Sequence, residues 1–163
     1  MTQAFIALGS NLENPIQQIQ SAFLALENMP QTQLIKKSSL YKTAPIGYEE
    51  GELEKIPDFI NAVAEVSTDL SPLDLLQAIF AIENQAGRVR PYPNAPRVLD
   101  CDLLLYGDTT MQTNALTLPH PRMQSRGFVL LPLFEIAPQL NIPNHGKIAS
   151  LMTDAIKQGV QKI

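Results

Sequence analysis

Two aspartates, Asp100 and Asp102, stand one residue apart in an apolar run, Val98-Leu99-Asp100-Cys101-Asp102-Leu103-Leu104-Leu105. Side chains on a strand alternate faces, so both carboxylates share one face, their Cα atoms about 7 Å apart. Leu99, Cys101, Leu103 and Leu105 take the other face, which suits a helix-packed core. Adjacent carboxylates repel each other unless a cation lies between them. Hard oxygen ligands suit Mg²⁺, which takes one or two carboxylates and leaves its other positions to water and phosphate oxygens. Such a pair also suits two metals about 4 Å apart, the arrangement used for in-line displacement at phosphorus. The competing reading is a solvated strand face, or aspartates paired with arginines, because an Asp-x-Asp alone is a weak pattern.

The arginines sharpen this. All five (Arg88, Arg90, Arg97, Arg122, Arg126) lie between residues 88 and 126, a segment with only three acids and a net charge of +2, while the rest of the chain carries −6. The planar guanidinium matches phosphate oxygens, so a local anion site is expected within an acidic protein of net charge −4. That overall charge argues against a broad nucleic-acid surface. No G-x-x-x-x-G-K or G-x-G-x-x-G accompanies the strand. A bound nucleotide would then be held by metal and arginine rather than by a glycine-rich loop.

The elements that must position these residues follow from periodicity. Residues 3–9 alternate and stop at Gly9-Ser10-Asn11, a strand entering a turn. Residues 15–28 begin at Pro15 and place Ile16, Ile19, Phe23 and Leu26 at helical spacing. Residues 32–43 read as a second strand and 58–68 as a third. Ser71-Pro72 opens a helix that runs to Ala86-Gly87. A strand over 98–106, a helical region over 125–135 and a short amphipathic helix over 148–161 complete the chain. The order predicts an α+β domain with a ferredoxin-like βαββαβ core: an antiparallel sheet, helices on one face, C-terminal additions, and the other face free for a site. Residues 44–57, with Pro and Gly, and 88–97, with three prolines, read as loops that close over that site and exclude water.

With 163 residues, 45% of them hydrophobic, the chain fits one domain over 1–163. No apolar run approaches the ~20 residues of a membrane span. A lone cysteine, Cys101, leaves no disulfide framework and suits the cytoplasm. A monomer that binds neither nucleic acid nor membrane is expected.

Six stretches also resemble the 6-hydroxymethyl-dihydropterin pyrophosphokinase family of folate biosynthesis. They are Ala7-Leu8-Gly9-Ser10-Asn11-Leu12, Ser39-Leu40-Tyr41-Lys42-Thr43-Ala44-Pro45, Pro57-Asp58-Phe59-Ile60-Asn61-Ala62, Ile82-Glu83 through Gly87-Arg88, Pro96-Arg97-Val98-Leu99-Asp100-Cys101-Asp102, and Pro119-His120-Pro121-Arg122 through Arg126-Gly127-Phe128. The resemblance spans about residues 5 to 138. It implies ATP as co-substrate, two Mg²⁺ ions on Asp100 and Asp102, attack of the pterin hydroxymethyl oxygen on the β-phosphorus, and AMP as leaving product. It also implies catalytic roles for Arg88, Arg90, Arg97, Asp100 and Asp102. A pterin pocket of Thr43, Pro45, Ile46, Phe59, Asn61 and Phe128 follows, and a nucleotide site of Glu83, Arg88, Arg90, Arg97, Leu103, His120 and Arg126.

The residues themselves bear on these roles. Phe59 and Asn61 share a strand face. With Phe128 they offer a flat heterocycle an aromatic surface and an amide to read its edge. An arbitrary phenylalanine is more often a core residue. Glu83 follows Leu76, Ile79 and Phe80 at helical spacing, where an unpaired carboxylate is costly, so an ion pair with Arg88 or Arg90 competes with a nucleotide role. His120, between prolines, suits a hydrogen bond to phosphate, and His145 reads as a turn residue. Two rival functions share the carboxylates: a different phosphoryl or nucleotidyl transferase, and a non-catalytic nucleotide-binding regulator.

Overall fold

The computed structural model describes residues 1–12, 14–44, 58–87 and 98–163. Alternation makes the central strands. β1 (Thr2–Ser10) and β4 (Phe59–Thr68) pair antiparallel over nine residues, from Thr2 opposite Thr68 to Ser10 opposite Ile60. Their neighbours are β2 (Thr32–Lys37) and β3 (Tyr41–Thr43), both on β4, and β5 (Asp100–Tyr106) on β1. The sheet runs β10-β3-β4-β1-β5, where β10 (Val160–Lys162) is the last strand of the chain, and every pairing is antiparallel.

Two helices cover one face. α1 (Pro15–Glu27) buries Ile19, Ala22, Phe23 and Leu26, and α2 (Pro72–Ala86) buries Leu75, Leu76 and Ile79. Both begin with proline, whose fixed φ and missing N–H cost nothing at a helix start. Ser71 caps α2 as expected, its hydroxyl accepting the Asp74 N–H at 3.2 Å. Against these helices pack Ala4, Ile6 and Leu8 of β1, Ile60, Ala62, Ala64 and Val66 of β4, and Leu99, Cys101 and Leu103 at β5.

The other face is not free along its whole length, contrary to expectation. α3 (Gly127–Ile136) lies across one end of it and forms a second core, in which Val129, Leu130 and Leu133 meet Phe5, Val63, Leu104 and Leu105. Burying each such leucine contributes about 1.5–3 kcal/mol. Leu105 thus faces away from Leu103 rather than sharing its face. The register between β1 and β5 shifts by one residue, with Phe5 opposite Leu105 but Ile6 opposite Leu103. An extra residue in one strand reverses the face of everything beyond it.

Other segments also depart from the sequence reading. Residues 32–43 are two strands, broken at 38–40, where the Ser38 hydroxyl accepts the Val63 N–H at 2.9 Å in place of a ladder bond. Residues 148–161 hold no continuous helix. They form a 3₁₀ turn (Ile148–Leu151), one helical turn, α4 (Asp154–Lys157), and β10, which extends the sheet by pairing with β3. Two short hairpins intervene: β6 (Met111–Gln112) with β7 (Thr117–Leu118), and β8 (Asn141–Ile142) with β9 (Gly146–Lys147). Among the described residues no helix is long and apolar enough to cross a membrane.

Candidate functional site

Beyond the end of α3, the uncovered part of the sheet is the floor of a cavity of about 700 Å³, a volume typical of ligand sites. Four strands supply that floor. Asp100 and Asp102 come from β5, Gly9 and Ala7 lie opposite them on β1, Asn61 and Phe59 follow on β4, and Thr43 on β3 completes the row. The two carboxylates do share a face, and it is the cavity face. The small residues at 7 and 9 leave the depression. At Gly9 a Cβ would stand 3.0 Å from Asn61 Oδ1 and press on that side chain.

The Asn61 amide is oriented by its neighbours. Its Nδ2 donates to Thr43 Oγ1 at 3.1 Å, and the side chain is buried. Its Oδ1 then lies over Gly9 as an acceptor. A polar edge is thereby presented in the floor, flanked by Phe59.

The walls come from later in the chain. The start of α3 contributes Arg126, Gly127 and Phe128. The Arg126 guanidinium lies 5.7 Å from the centroid of the Phe128 ring, within cation–π range. His120 lines the cavity near the aspartates, its backbone N–H donating to Leu104 O at 2.9 Å on the outer edge of β5. Its Nδ1 accepts the Arg122 N–H at 3.3 Å, so the neutral ring carries its proton on Nε2 as a donor. Burial pushes the His120 pKa below the ordinary imidazole value; Arg126 and Arg122 push the same way and Asp102 opposes them. The neutral donor form is therefore the one at neutral pH.

The third wall is the C-terminal segment, with Ile156, Gln158, Gly159 and Val160. Sequence reasoning missed it, because a three-residue strand that pairs with β3, more than a hundred residues earlier, has no local signature. Alternating small residues at Ala7 and Gly9 were a readable signal for the floor.

The structure thus brings Asp100, Asp102, Thr43, Phe59, Asn61, His120, Arg126 and Phe128 to one cavity. Two expected residues stand elsewhere. Glu83 is buried on α2, where its Oε2 accepts the Cys101 N–H at 2.9 Å. It satisfies the edge of β5 between the two aspartates and is not in the cavity lining. The Leu103 side chain is buried in the helix-side core, which leaves only its main chain for contact with a ligand. Pro45, Ile46, Arg88, Arg90 and Arg97, and both loops read as closing segments apart from Ala44, lie outside the described residues.

The donor set fits Mg²⁺. Asp100 is half-buried and Asp102 exposed on the cavity face, and both offer only hard oxygen. Among the described residues no three His, Cys, Asp or Glu side chains are grouped to enclose a metal. Two carboxylates facing an open cavity are what a metal shared with substrate phosphates needs.

The family model for 7,8-dihydro-6-hydroxymethylpterin-pyrophosphokinase matches residues 5–138. The chain is 44% identical over 158 residues to the 2-amino-4-hydroxy-6-hydroxymethyldihydropteridine pyrophosphokinase of Haemophilus influenzae, covering 97% of this chain and 93% of that one. It is 41% identical over 161 residues to the Pseudomonas aeruginosa protein of that name, covering 99% and 96%. In structure it is similar to Plasmodium falciparum HPPK-DHPS crystallised with pteroate, with a TM-score of 0.76 at 18% identity. That match covers 99% of this chain but 46% of the other, so the chain spans about half of that protein. The chain belongs to the 7,8-dihydro-6-hydroxymethylpterin-pyrophosphokinase family.

Proposed function

We propose that the chain transfers pyrophosphate from ATP to the hydroxymethyl group of 6-hydroxymethyl-7,8-dihydropterin, within the 700 Å³ cavity. One observation carries this reading: a pair of carboxylates and an amide flanked by aromatics face the same cavity across the β5-β1-β4-β3 sheet. That shared lining supports phosphate chemistry next to recognition of a flat heterocycle.

The pterin lies over Gly9, its ring between Phe59 and Phe128 and its polar edge against Asn61 Oδ1. Thr43 holds the Asn61 amide so that oxygen, not NH₂, meets the ring's N–H groups. Pro45 and Ile46 belong to the same pocket on the strength of the family resemblance. The hydroxymethyl oxygen attacks the β-phosphorus, the bond from the β-phosphorus to the bridging oxygen breaks, and AMP leaves with that oxygen. The hydroxyl proton goes to solvent.

Asp100 and Asp102 would hold Mg²⁺, two ions in this reading, and the metal supplies neutralisation of phosphate charge when bound. Arg126 and the Nε2–H of His120 donate to phosphate oxygens from the opposite wall. Arg88, Arg90 and Arg97 add cations around the same phosphates, and Glu83 and Leu103 help to shape the nucleotide site from the β5 edge. The fold is ferredoxin-like in this reading, supported by the β5-β1-β4-β3 order with α1 and α2 on one face. The chain acts as a monomer in the cytoplasm, a setting that suits a single buried cysteine.

Product analysis tests the reaction. AMP and pterin diphosphate formed in equal amounts are the expected outcome. ADP would make the protein a simple kinase, and absence of turnover with ATP, Mg²⁺ and the pterin would make it a binder.

A further inference from the structure

α3 has a peculiar composition. Its ten residues are Gly-Phe-Val-Leu-Leu-Pro-Leu-Phe-Glu-Ile, so Glu135 is the one ionisable side chain on a helix that is apolar nearly all round. Apolar burial is non-directional. It presses such a helix onto the sheet but sets its rotation only weakly, because every rotation buries leucine or phenylalanine. Rotation matters here, since Phe128 on the same helix forms a wall of the cavity. Glu135 is seven residues, or two turns, beyond Phe128 and lies on the same stripe.

The Glu135 carboxylate is held by an array of donors from elsewhere in the chain. The Ser39 N–H reaches both oxygens, at 3.0 and 3.2 Å, and Ser39 Oγ donates to Oε2 at 2.8 Å. Tyr41 Oη donates to Oε1 at 2.8 Å, and Lys162 Nζ lies 3.8 Å from Oε2. These partners belong to the other pieces of the pocket. Tyr41 is in β3, directly opposite Asn61 and two residues from Thr43. Lys162 is in β10, two residues from Val160 of the C-terminal wall. One carboxylate thus joins the helix that bears Phe128, the strand that orients Asn61 and the strand that closes the third wall.

We infer that Glu135 is a positioning residue for the acceptor pocket: it sets the rotation of α3 against β3 and β10, and so places Phe128 opposite Asn61. The inference rests on the pterin reading of that pocket. An accepting oxygen is required, because the Ser39 N–H and Lys162 can only donate, whereas the Ser39 and Tyr41 hydroxyls can also accept. Glutamine keeps the reach and one accepting oxygen. Alanine removes both.

The test compares Glu135→Ala and Glu135→Gln with the unaltered protein, measuring KM for the pterin, KM for ATP, kcat and Tm. Glu135→Ala is expected to raise the pterin KM about tenfold, as loss of charge-assisted hydrogen bonds implies. The ATP KM should stay within about twofold, below 0.5 kcal/mol. Glu135→Gln should restore most of the loss. A lowered Tm with an unchanged pterin KM overturns the inference, and so does an equal rise in both KM values. Should Glu135→Ala fail to fold, Tyr41→Phe removes a single hydrogen bond and is expected to raise the pterin KM a few-fold, about the effect of one such bond; no change there also overturns it. Asn61→Ala is the control. If it too leaves the pterin KM unchanged, it is the pocket reading that fails.

Discussion

At the scale of single residues, the site depends on what each group can accept or donate. Asp100 and Asp102 accept only. Replacing either with asparagine removes a charge from a crowded pair, which need not destabilise the free protein, and removes charge compensation at the phosphates. Turnover of Asp100→Asn or Asp102→Asn should fall roughly 10²–10³-fold with the fold retained, checked by steady-state kinetics at saturating Mg²⁺ beside circular dichroism. Near-normal turnover would remove both from the metal site. In the proposed reading Asn61 meets the ligand with an oxygen whose orientation is set by the 3.1 Å hydrogen bond to Thr43. Asn61→Ala leaves unmet donors on the ligand and frees Thr43, so pterin affinity should drop about 10²-fold or more while ATP affinity barely moves. Separate calorimetric titrations of the two ligands decide this. The aspartates and Asn61 were legible in the sequence, since their types and spacing already limited the chemistry. The buried partner of the Cys101 N–H was not. Glu83 sits 18 residues before Cys101, and only the packing of α2 under β5 brings the two to 2.9 Å.

At the scale of elements, α3 carries the most consequence. Its first residue has to be glycine. A Cβ on Gly127 would lie 1.9 Å from Ile156 O, a backbone atom of α4 that can retreat only if the C-terminal wall moves with it. Gly127→Ala should therefore cost about 1–3 kcal/mol, as overpacking does, and raise the pterin KM by displacing Phe128 or Val160. Chemical denaturation with kinetics on the same preparation checks both; unchanged stability and kinetics would mean that α4 gives way freely. The helix itself was visible from its apolar run, within two residues at each end. Its docking was not. The sequence reading left the second sheet face open, because the signal for what covers a face lies in the covering element, more than twenty residues further along. The one-residue bulge that turns Leu105 into the second core was hidden for a related reason. Leu103, Leu104 and Leu105 are all leucine, so alternation gives no hint of where it reverses.

At the scale of the whole molecule, the Glu135 network couples the last strand of the chain to the rest and makes stability depend on pH. Burial raises the Glu135 pKa, but the hydrogen bonds from Tyr41 and Ser39 and the charge of Lys162 outweigh it and hold the carboxyl below its ordinary value. Tyr41 is driven the other way, above the usual phenol range, by burial, by its hydrogen bond to Glu135 and by that negative charge. A carboxyl whose pKa is lower folded than unfolded contributes stability that is complete above the unfolded value and is lost as pH falls through the folded one. The Tm of the unaltered protein should thus fall on acidification between about pH 5 and 3, the carboxylate range, by more than that of Glu135→Gln. Thermal melts of both proteins across that range measure the difference. Parallel curves would show that Glu135 gains nothing from its ionised form.

The sequence by itself determined the chemistry and the central frame of this protein. Two carboxylates on one strand face, arginines confined to 88–126, and Phe59 and Asn61 in alternation are local patterns, and the strand and helix periods that carry them are local too. Tertiary structure alone decided which part of the sheet stayed open, that the C-terminal segment ending in β10 walls the pocket, that Glu83 meets the Cys101 N–H and that Glu135 meets Ser39 and Tyr41. Those outcomes depend on contacts between residues tens of positions apart, such as the 94 that separate Tyr41 from Glu135. Hydrophobic pattern records that a side chain will be buried and leaves unstated against what.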